Sequence, residues 1–254
     1  MLRVAGLKIY LPSLGRFMIH HAATGDEHRF YVRRILGFVL ARLVAGSRLS
    51  EGEPGFFGDT AHSGYTIGMT APYNILVGVT GGIAAYKVPG VIRRLREAGY
   101  EVKTIASDAA FNFIPEETLS IATGGHVHTE KTWWERSGRV EHVSLARWAD
   151  LVLVAPATAD ALARAAIGLG DDLLSATILA GARKVLWAPA MNPEMWNNPT
   201  TRRNVQTLKS WGHSFVGPAE GPMASAEEEP GVGRLADEAE IVEAVEKALS
   251  EDGR

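Results

Sequence analysis

The stretch Asn74-Ile75-Leu76-Val77-Gly78-Val79-Thr80-Gly81-Gly82-Ile83-Ala84-Ala85-Tyr86-Lys87 sets the reading of the whole chain. Residues 75–79 are a short apolar run rich in β-branched side chains, and the run ends at Thr80-Gly81-Gly82. A run of this kind bounded by glycines predicts a strand buried on both faces, as parallel strands are. A helix over 84–98 follows, with Gly99 as its C-cap. Downstream the alternation continues, with strands expected over 101–106, 151–155 and 184–188. Helices are expected over 160–167, 172–180 and 201–211, and a terminal amphipathic helix over 241–250. Strands alternating with helices imply an α/β fold, a Rossmann-like three-layer domain around a parallel sheet, here spanning 73–254. Ligands of such sheets bind at the carboxyl ends of the strands. The unusual residues of this chain cluster there.

Upstream, residues 1–72 show neither this alternation nor an internal repeat. They hold arginines, scattered aromatics and a Gly/Ser/Glu-rich stretch over 46–58. The expectation is an N-terminal extension that is poorly ordered, a small added subdomain, or upstream sequence from a misplaced start, since Met69 precedes the first strand. The whole chain carries a formal net charge of −3, which gives no basis for a nucleic-acid footprint. It has no cysteine, so disulfides and Cys-ligated metals are excluded, and no metal site is expected. The apolar run 35–45 is interrupted by Arg42 and is too short to span a bilayer, so no membrane role is expected. A cytoplasmic setting is compatible with all of this.

Four segments carry the chemistry. Glycines at 81 and 82 let the backbone approach a ligand closely, and a strand–helix turn suits a phosphate. They also fit a purely steric reading. No Gly-Lys-Ser/Thr follows and no GxGxxG is present, so a mononucleotide is favoured over a dinucleotide or a Walker-type site. Ser107, after the second strand, suits a phosphate hydrogen bond or an N-cap. His142 lies in Glu141-His142-Val143-Ser144-Leu145-Ala146-Arg147-Trp148-Ala149-Asp150 and is suited to acid–base work near neutral pH or to a structural role. Small residues in Ala155-Pro156-Ala157-Thr158-Ala159-Asp160 leave room for a flat ring, with Thr158 at its polar edge, or simply open a helix near Asp160. The fourth strand ends in Ala188-Pro189-Ala190-Met191-Asn192-Pro193-Glu194-Met195-Trp196-Asn197-Asn198-Pro199, expected to be a rigid loop at the ligand edge because of its prolines and asparagines. Asn192 suits a carboxylate or amide, while the Met/Trp cluster also fits core packing.

Taken together in order, these motifs from Asn74 to Leu249 resemble the homo-oligomeric flavin-containing cysteine decarboxylases, most closely the branch acting on phosphopantothenoylcysteine. The 189–196 segment contains that family's PxMNxxMW pattern in full. The resemblance implies a Rossmann-like domain of flavoprotein type, assembled as a homotrimer or homododecamer, with FMN at subunit contacts. It implies FMN contacts at Gly81, Gly82, Ile83, Ser107, Ala157, Thr158 and Ala159. It makes His142 the essential histidine beside the flavin and Asn192 the residue that holds the substrate carboxylate. Met191, Met195, Ala224 and Arg234 would complete the substrate site. The implied chemistry oxidises the substrate thiol to a thioaldehyde, loses as CO2 the carboxylate that lies β to the thiocarbonyl, and returns hydride, with no net redox change. A separate phosphopantothenate–cysteine ligase would supply the substrate.

One segment departs from the pattern. The family carries a cysteine in a flap before a GxGR segment, and that thiol supplies the proton for the final reduction. Here the flap reads Gly221-Pro222-Met223-Ala224-Ser225-Ala226-Glu227-Glu228-Glu229-Pro230-Gly231-Val232-Gly233-Arg234, with Ser225 at the cysteine position. A hydroxyl is a far weaker acid than a thiol, so either Ser225 or one of Glu227–Glu229 takes the role. The alternatives in other classes are a peptidyl-cysteine decarboxylase, a flavin-dependent reductase, and a non-catalytic phosphatase-regulating flavoprotein.

Overall fold

The computed structural model describes residues 73–250 except 136, 137, 225, 226 and 228, together with the backbone of three short strands nearer the N-terminus. The chain divides into two compact units, residues 1–66 and 67–254. In the first unit, β1 (Leu2–Val4), β2 (Leu7–Tyr10) and β3 (Met18–His20) form an antiparallel sheet. The rest of the N-terminal extension lies outside the described residues.

The second unit is built on β4 (Asn74–Val79), β5 (Glu101–Ala106), β6 (Val127–His128), β7 (Leu151–Ala157), β8 (Val185–Pro189) and β9 (Ser214–Phe215). All neighbours pair in parallel, in the order β6-β5-β4-β7-β8-β9. The order reverses between β4 and β7. At that topological switch point the crossover helices diverge to opposite faces and leave a crevice at the carboxyl ends.

Helices cover both faces. α1 (Val88–Glu97), α2 (Glu116–Thr123) and α9 (Glu238–Ser250) pack on one face with Ile75, Val77 and Val79. α4 (Glu141–Trp148), α5 (Ala159–Ile167), α6 (Leu173–Leu179) and α8 (Pro199–Ser210) pack on the other with Leu76. The period-2 alternation of β4 therefore feeds two cores, as expected for a strand buried on both sides. Gly78 points to the second face, where a Cβ would stand 2.6 Å from a Leu174 methyl, so the strand's glycine makes room for α6. Two short helices, α3 (Glu130–Trp133) and α7 (Pro193–Asn197), lie at the carboxyl edge. β10 (Ala219–Gly221) and β11 (Gly231–Arg234) form a separate antiparallel hairpin.

Two expectations need correction. Residues 84–98 do not form one helix: Ile83–Lys87 is a 3-10 turn, and α1 begins only at Val88. Pro89 lacks an N–H and so cannot continue the α ladder backwards; it is tolerated because it stands in the first turn. Nor is 188–199 a plain loop. Pro193 and Pro199 sit in the first turns of α7 and α8, each preceded by an asparagine N-cap. The Asn-Pro pairs, read as loop formers, are helix starts.

Candidate functional site

The turns after β4 and β7 are joined by a seam of hydroxyls across the switch point. Thr80 is buried, and its Oγ1 donates to the Pro156 carbonyl at 2.5 Å while accepting from the Thr158 N–H at 3.2 Å. The Thr158 Oγ1 lies 3.3 Å from that of Thr80 and accepts from the Ala161 N–H at 3.3 Å, so Thr158 is the N-cap of α5. Thr80 escaped the sequence reading. The available signal was a hydroxyl residue immediately after each of two strands destined to be neighbours.

Gly81 and Gly82 line this crevice. A Cβ on Gly81 would stand 2.4 Å from the Ala109 Cβ, and one on Gly82 would stand 3.3 Å from the Thr158 Cγ2. The absent Gly81 side chain thus admits the neighbouring 3-10 turn, Asp108–Asn112, as the steric reading anticipated. Ile83, next in the turn, is 54% exposed, an apolar surface at the mouth of the crevice.

Ser107 occupies the N-cap position of Asp108–Asn112 but makes no side-chain cap. Its N–H donates to the Val79 carbonyl at 3.0 Å, tying it to the end of β4. Its hydroxyl oxygen is buried and finds no hydrogen-bond partner among the described residues. A buried polar atom left unpaired costs about 1–3 kcal/mol. A phosphate oxygen beside Gly81 would remove that cost, so this corner fits the phosphate of a mononucleotide such as FMN.

The turn after β8 is tied in on both sides. The Ala190 N–H donates to the Ala157 carbonyl at 3.1 Å, and the Met191 N–H donates to the Gly233 carbonyl at 3.0 Å. A Cβ on Gly233 would stand 2.2 Å from the Met191 carbonyl oxygen, so only glycine lets β11 approach this closely. Asn192 caps α7 by accepting the Glu194 N–H on Oδ1 at 2.8 Å. That bond fixes which end of the carboxamide is acceptor and which is donor. Met195 is half exposed, whereas Trp196 is buried beneath the Arg202 guanidinium, 4.8 Å from its ring. The methionine therefore belongs to the surface and the tryptophan to the core.

His142 is reached from the helix that carries it. The Trp148 carbonyl at the far end of α4 accepts from the Asn74 Nδ2 at 3.0 Å, at the amino end of β4. The eight-residue helix spans about 12 Å. It brings its first turn, with Glu141 and His142, toward the carboxyl ends of the strands. There the Trp133 Nε1–H donates to the His142 Nδ1 at 3.1 Å, ring against ring edge, with centroids 5.6 Å apart. Glu141 meets the buried His128 with Oε1 2.5 Å from Nδ1. Burial pushes the His128 imidazole below its ordinary pKa, against the upward pull of Glu141. Trp133, His128 and Glu141 were missed, because nothing in the spacing of the sequence pairs β6 and α3 with α4.

Arg234 makes two hydrogen bonds to Asp237, at 2.7 and 3.3 Å, so its guanidinium is already held by a carboxylate. Ala224 is exposed in a bend beyond β10, and Ser225 lies outside the described residues. Among the described residues no group of three or more His, Cys, Asp or Glu could hold a metal ion, and no helix is long and apolar enough to cross a membrane. A groove of about 420 Å³ between the 216–219 segment and α9 lies away from the crevice, and so does a smaller cavity beside Leu151 and Lys184. The candidate site gathers residues from the carboxyl ends of the strands.

Residues 66–250 match the family model described as Flavoprotein. The chain belongs to the flavoprotein family. Among curated relatives of this flavoprotein, the coenzyme A biosynthesis bifunctional protein CoaBC of Mycolicibacterium smegmatis is 45% identical over 173 residues, which is 68% of this chain and 41% of the relative. CoaBC of Bacillus subtilis is 37% identical over 179 residues, 70% of this chain and 44% of the relative. The flavoprotein thus spans about two fifths of the length of these curated relatives. A solved PPC decarboxylase mutant complexed with pantothenoylaminoethenethiol superposes with a TM-score of 0.62 at 29% identity, over 70% of this chain and 98% of that one. The FMN-dependent cysteine decarboxylase SpaF gives 0.62 at 33% identity, over 72% and 99%.

Proposed function

We propose that this flavoprotein is an FMN-dependent phosphopantothenoylcysteine decarboxylase, which converts 4′-phosphopantothenoylcysteine to 4′-phosphopantetheine in coenzyme A biosynthesis. The observation that carries the reading is the crevice at the switch point. Its unpartnered Ser107 hydroxyl, the Thr80–Thr158 seam and the Asn192 turn converge on one edge of the sheet. The likeness to the CoaBC proteins supports the choice of substrate.

When bound, FMN supplies the two-electron chemistry that converts the substrate thiol to a thiocarbonyl and back. The Ser107 hydroxyl and the Gly81, Gly82 and Ile83 backbone would hold its phosphate end. Ala157, Thr158 and Ala159 would face its ring. The Asn192 carboxamide, oriented through its Oδ1, presents a donor to the substrate carboxylate. His142 handles the proton at the reacting thiol. Met191 and Met195 supply apolar surface around the departing CO2, while Ala224 and Arg234 approach from the hairpin. Ser225 or a glutamate of 227–229 would return the last proton. If Ser225→Ala keeps full turnover while a glutamate substitution accumulates the enethiol, the glutamate holds the role; the reverse assigns it to Ser225.

Within the same proposal the protein acts in the cytoplasm as a homotrimer or homododecamer and receives its substrate from a separate phosphopantothenate–cysteine ligase. The likeness to SpaF, an FMN-dependent cysteine decarboxylase, supports keeping a second reading in which the decarboxylated cysteine belongs to another substrate, such as a peptide. One assay separates the readings: the purified protein is inspected for a flavin spectrum and offered phosphopantothenoylcysteine and a cysteine-ending peptide in parallel. Phosphopantetheine formation supports the first reading and peptide decarboxylation the second. A colourless protein without FMN affinity defeats both.

A further inference from the structure

We propose that Trp133 is a positioning residue that fixes the tautomer of His142, so that the neutral imidazole keeps its hydrogen on Nε2. The inference rests on the reading of His142 as the site histidine only for its functional consequence; the tautomer itself follows from geometry. An indole Nε1–H donates and has no acceptor capacity. It stands 3.1 Å from the His142 Nδ1. In a neutral imidazole one nitrogen donates and the other accepts, so the nitrogen facing Trp133 must be the acceptor. The hydrogen is then on Nε2, at the opposite side of the ring. Which nitrogen of a histidine carries the proton is set by the partner of the other.

Trp133 is itself held in place. It closes α3, whose start carries a reciprocal cap: the Thr132 N–H donates to the Thr129 Oγ1 at 3.3 Å and the Thr129 N–H to the Thr132 Oγ1 at 2.9 Å. The Thr132 hydroxyl also lies 3.5 Å from the Glu141 Oε1, and Glu141 grips the buried His128. Two contacts therefore join α3 to the first turn of α4, one to each of the adjacent residues Glu141 and His142. The neighbouring Trp134 is 74% exposed and leans on Trp133, with ring centroids 4.7 Å apart. It thus provides a matched control on the same segment.

The test uses the full chain labelled with nitrogen-15 in histidine, at about pH 8.5, where an ordinary imidazole is neutral. The His142 resonances are identified by their loss in His142→Gln. The expected wild-type signature is an unprotonated Nδ1 and a protonated Nε2, and a protonated Nδ1 overturns the proposal outright. Trp133→Phe keeps an aromatic ring but removes the donor, and the signature is expected to move toward a mixture of both tautomers. Trp134→Phe should leave it unchanged. An unchanged signature in Trp133→Phe also overturns the proposal. Should Trp133→Phe fail to fold, Trp133→Leu, which likewise removes the ring N–H donor, is tried under the same criterion, and the wild-type signature decides on its own. In turnover, loss of one neutral hydrogen bond of about 1 kcal/mol predicts roughly a fivefold fall in kcat with KM held within about twofold. A wild-type protein that shows the Nε2–H signature but leaves phosphopantothenoylcysteine untouched counts against the proposed function and not against this inference.

Discussion

Asn192 holds two jobs in one side chain, and substitution can pull them apart. Its Oδ1 caps α7, and its amide is the proposed carboxylate donor. Asn192→Asp keeps an acceptor for the Glu194 N–H but sets a negative charge against the substrate carboxylate. The expected outcome is folded, flavin-bound protein whose kcat/KM falls by about 10- to 100-fold, the size of a lost hydrogen bond to a charged group. Steady-state kinetics beside a flavin spectrum check it; unaltered kcat/KM would remove Asn192 from the substrate site. Ser107→Ala tests the phosphate corner in the opposite sense. Because the Ser107 hydroxyl has no partner among the described residues, its removal should hold or slightly raise the stability of the flavin-free protein. FMN affinity should drop by about tenfold, measured by flavin fluorescence titration. At this scale the sequence was informative about chemistry and poor about partners. Gly81, Ser107, Thr158 and Asn192 could be picked out because small and polar residues at strand ends are unusual. Thr80, Trp133 and His128 could not, since their significance comes from contacts the fold creates between β4 and β7 or between α3 and α4.

Elements were legible where a long period or a strong breaker marked them. β4, β7 and β8 emerged from apolar runs because strands buried on both faces need no alternation to be seen. The short pieces α3, α7, β6 and β9 did not, since so few residues establish no period. α4 was missed for a different reason: its buried residues include only Leu145 and Ala146, and its polar face dominates the pattern. Asn198 offers a clean test of the corrected α8 start. Its Oδ1 accepts from the Thr200 N–H at 3.0 Å and the Thr200 hydroxyl at 2.7 Å. Asn198→Ala should cost about 1 kcal/mol, read as a lower urea midpoint at unchanged slope, with catalysis unaffected. Gly233→Ala should do the reverse damage. A methyl 2.2 Å from the Met191 carbonyl forces β11 off the β8 turn, and turnover should fall while the proposed flavin corner at Ser107 stays intact.

For the molecule as a whole, acid is the expected weakness. Burial pushes the His213 imidazole below its ordinary pKa, and the Trp187 Nε1–H donates to its Nδ1 at 2.9 Å, a contact only the neutral ring accepts. The unfolded chain takes up a proton near its ordinary value of about 6.5, whereas the folded chain resists until a lower pH. In that window the unfolded state binds more protons, so stability is fully present above about pH 6.5 and is lost as pH falls below it. His128 shifts in the same direction. The melting temperature should therefore decline between about pH 7 and about pH 5, and His213→Gln, which retains an acceptor for Trp187, should flatten part of that decline. A separate test concerns the division of the chain. Residues 69–254 alone should fold and bind FMN, since residues 67–254 form their own compact unit; failure of that fragment to hold flavin would show that the first unit is required. The hairpin of β10 and β11 carries a last implication for engineering and divergence. Its fixed point is the Met191–Gly233 backbone bond, outside the 222–230 segment that joins the two strands. Tip and mooring are thus separable. Segments of other lengths or acidities can be grafted across 222–230 without redrawing the Asn192 turn, so the proposed donor of the last proton can be exchanged as a module while the proposed carboxylate-holding turn is inherited intact.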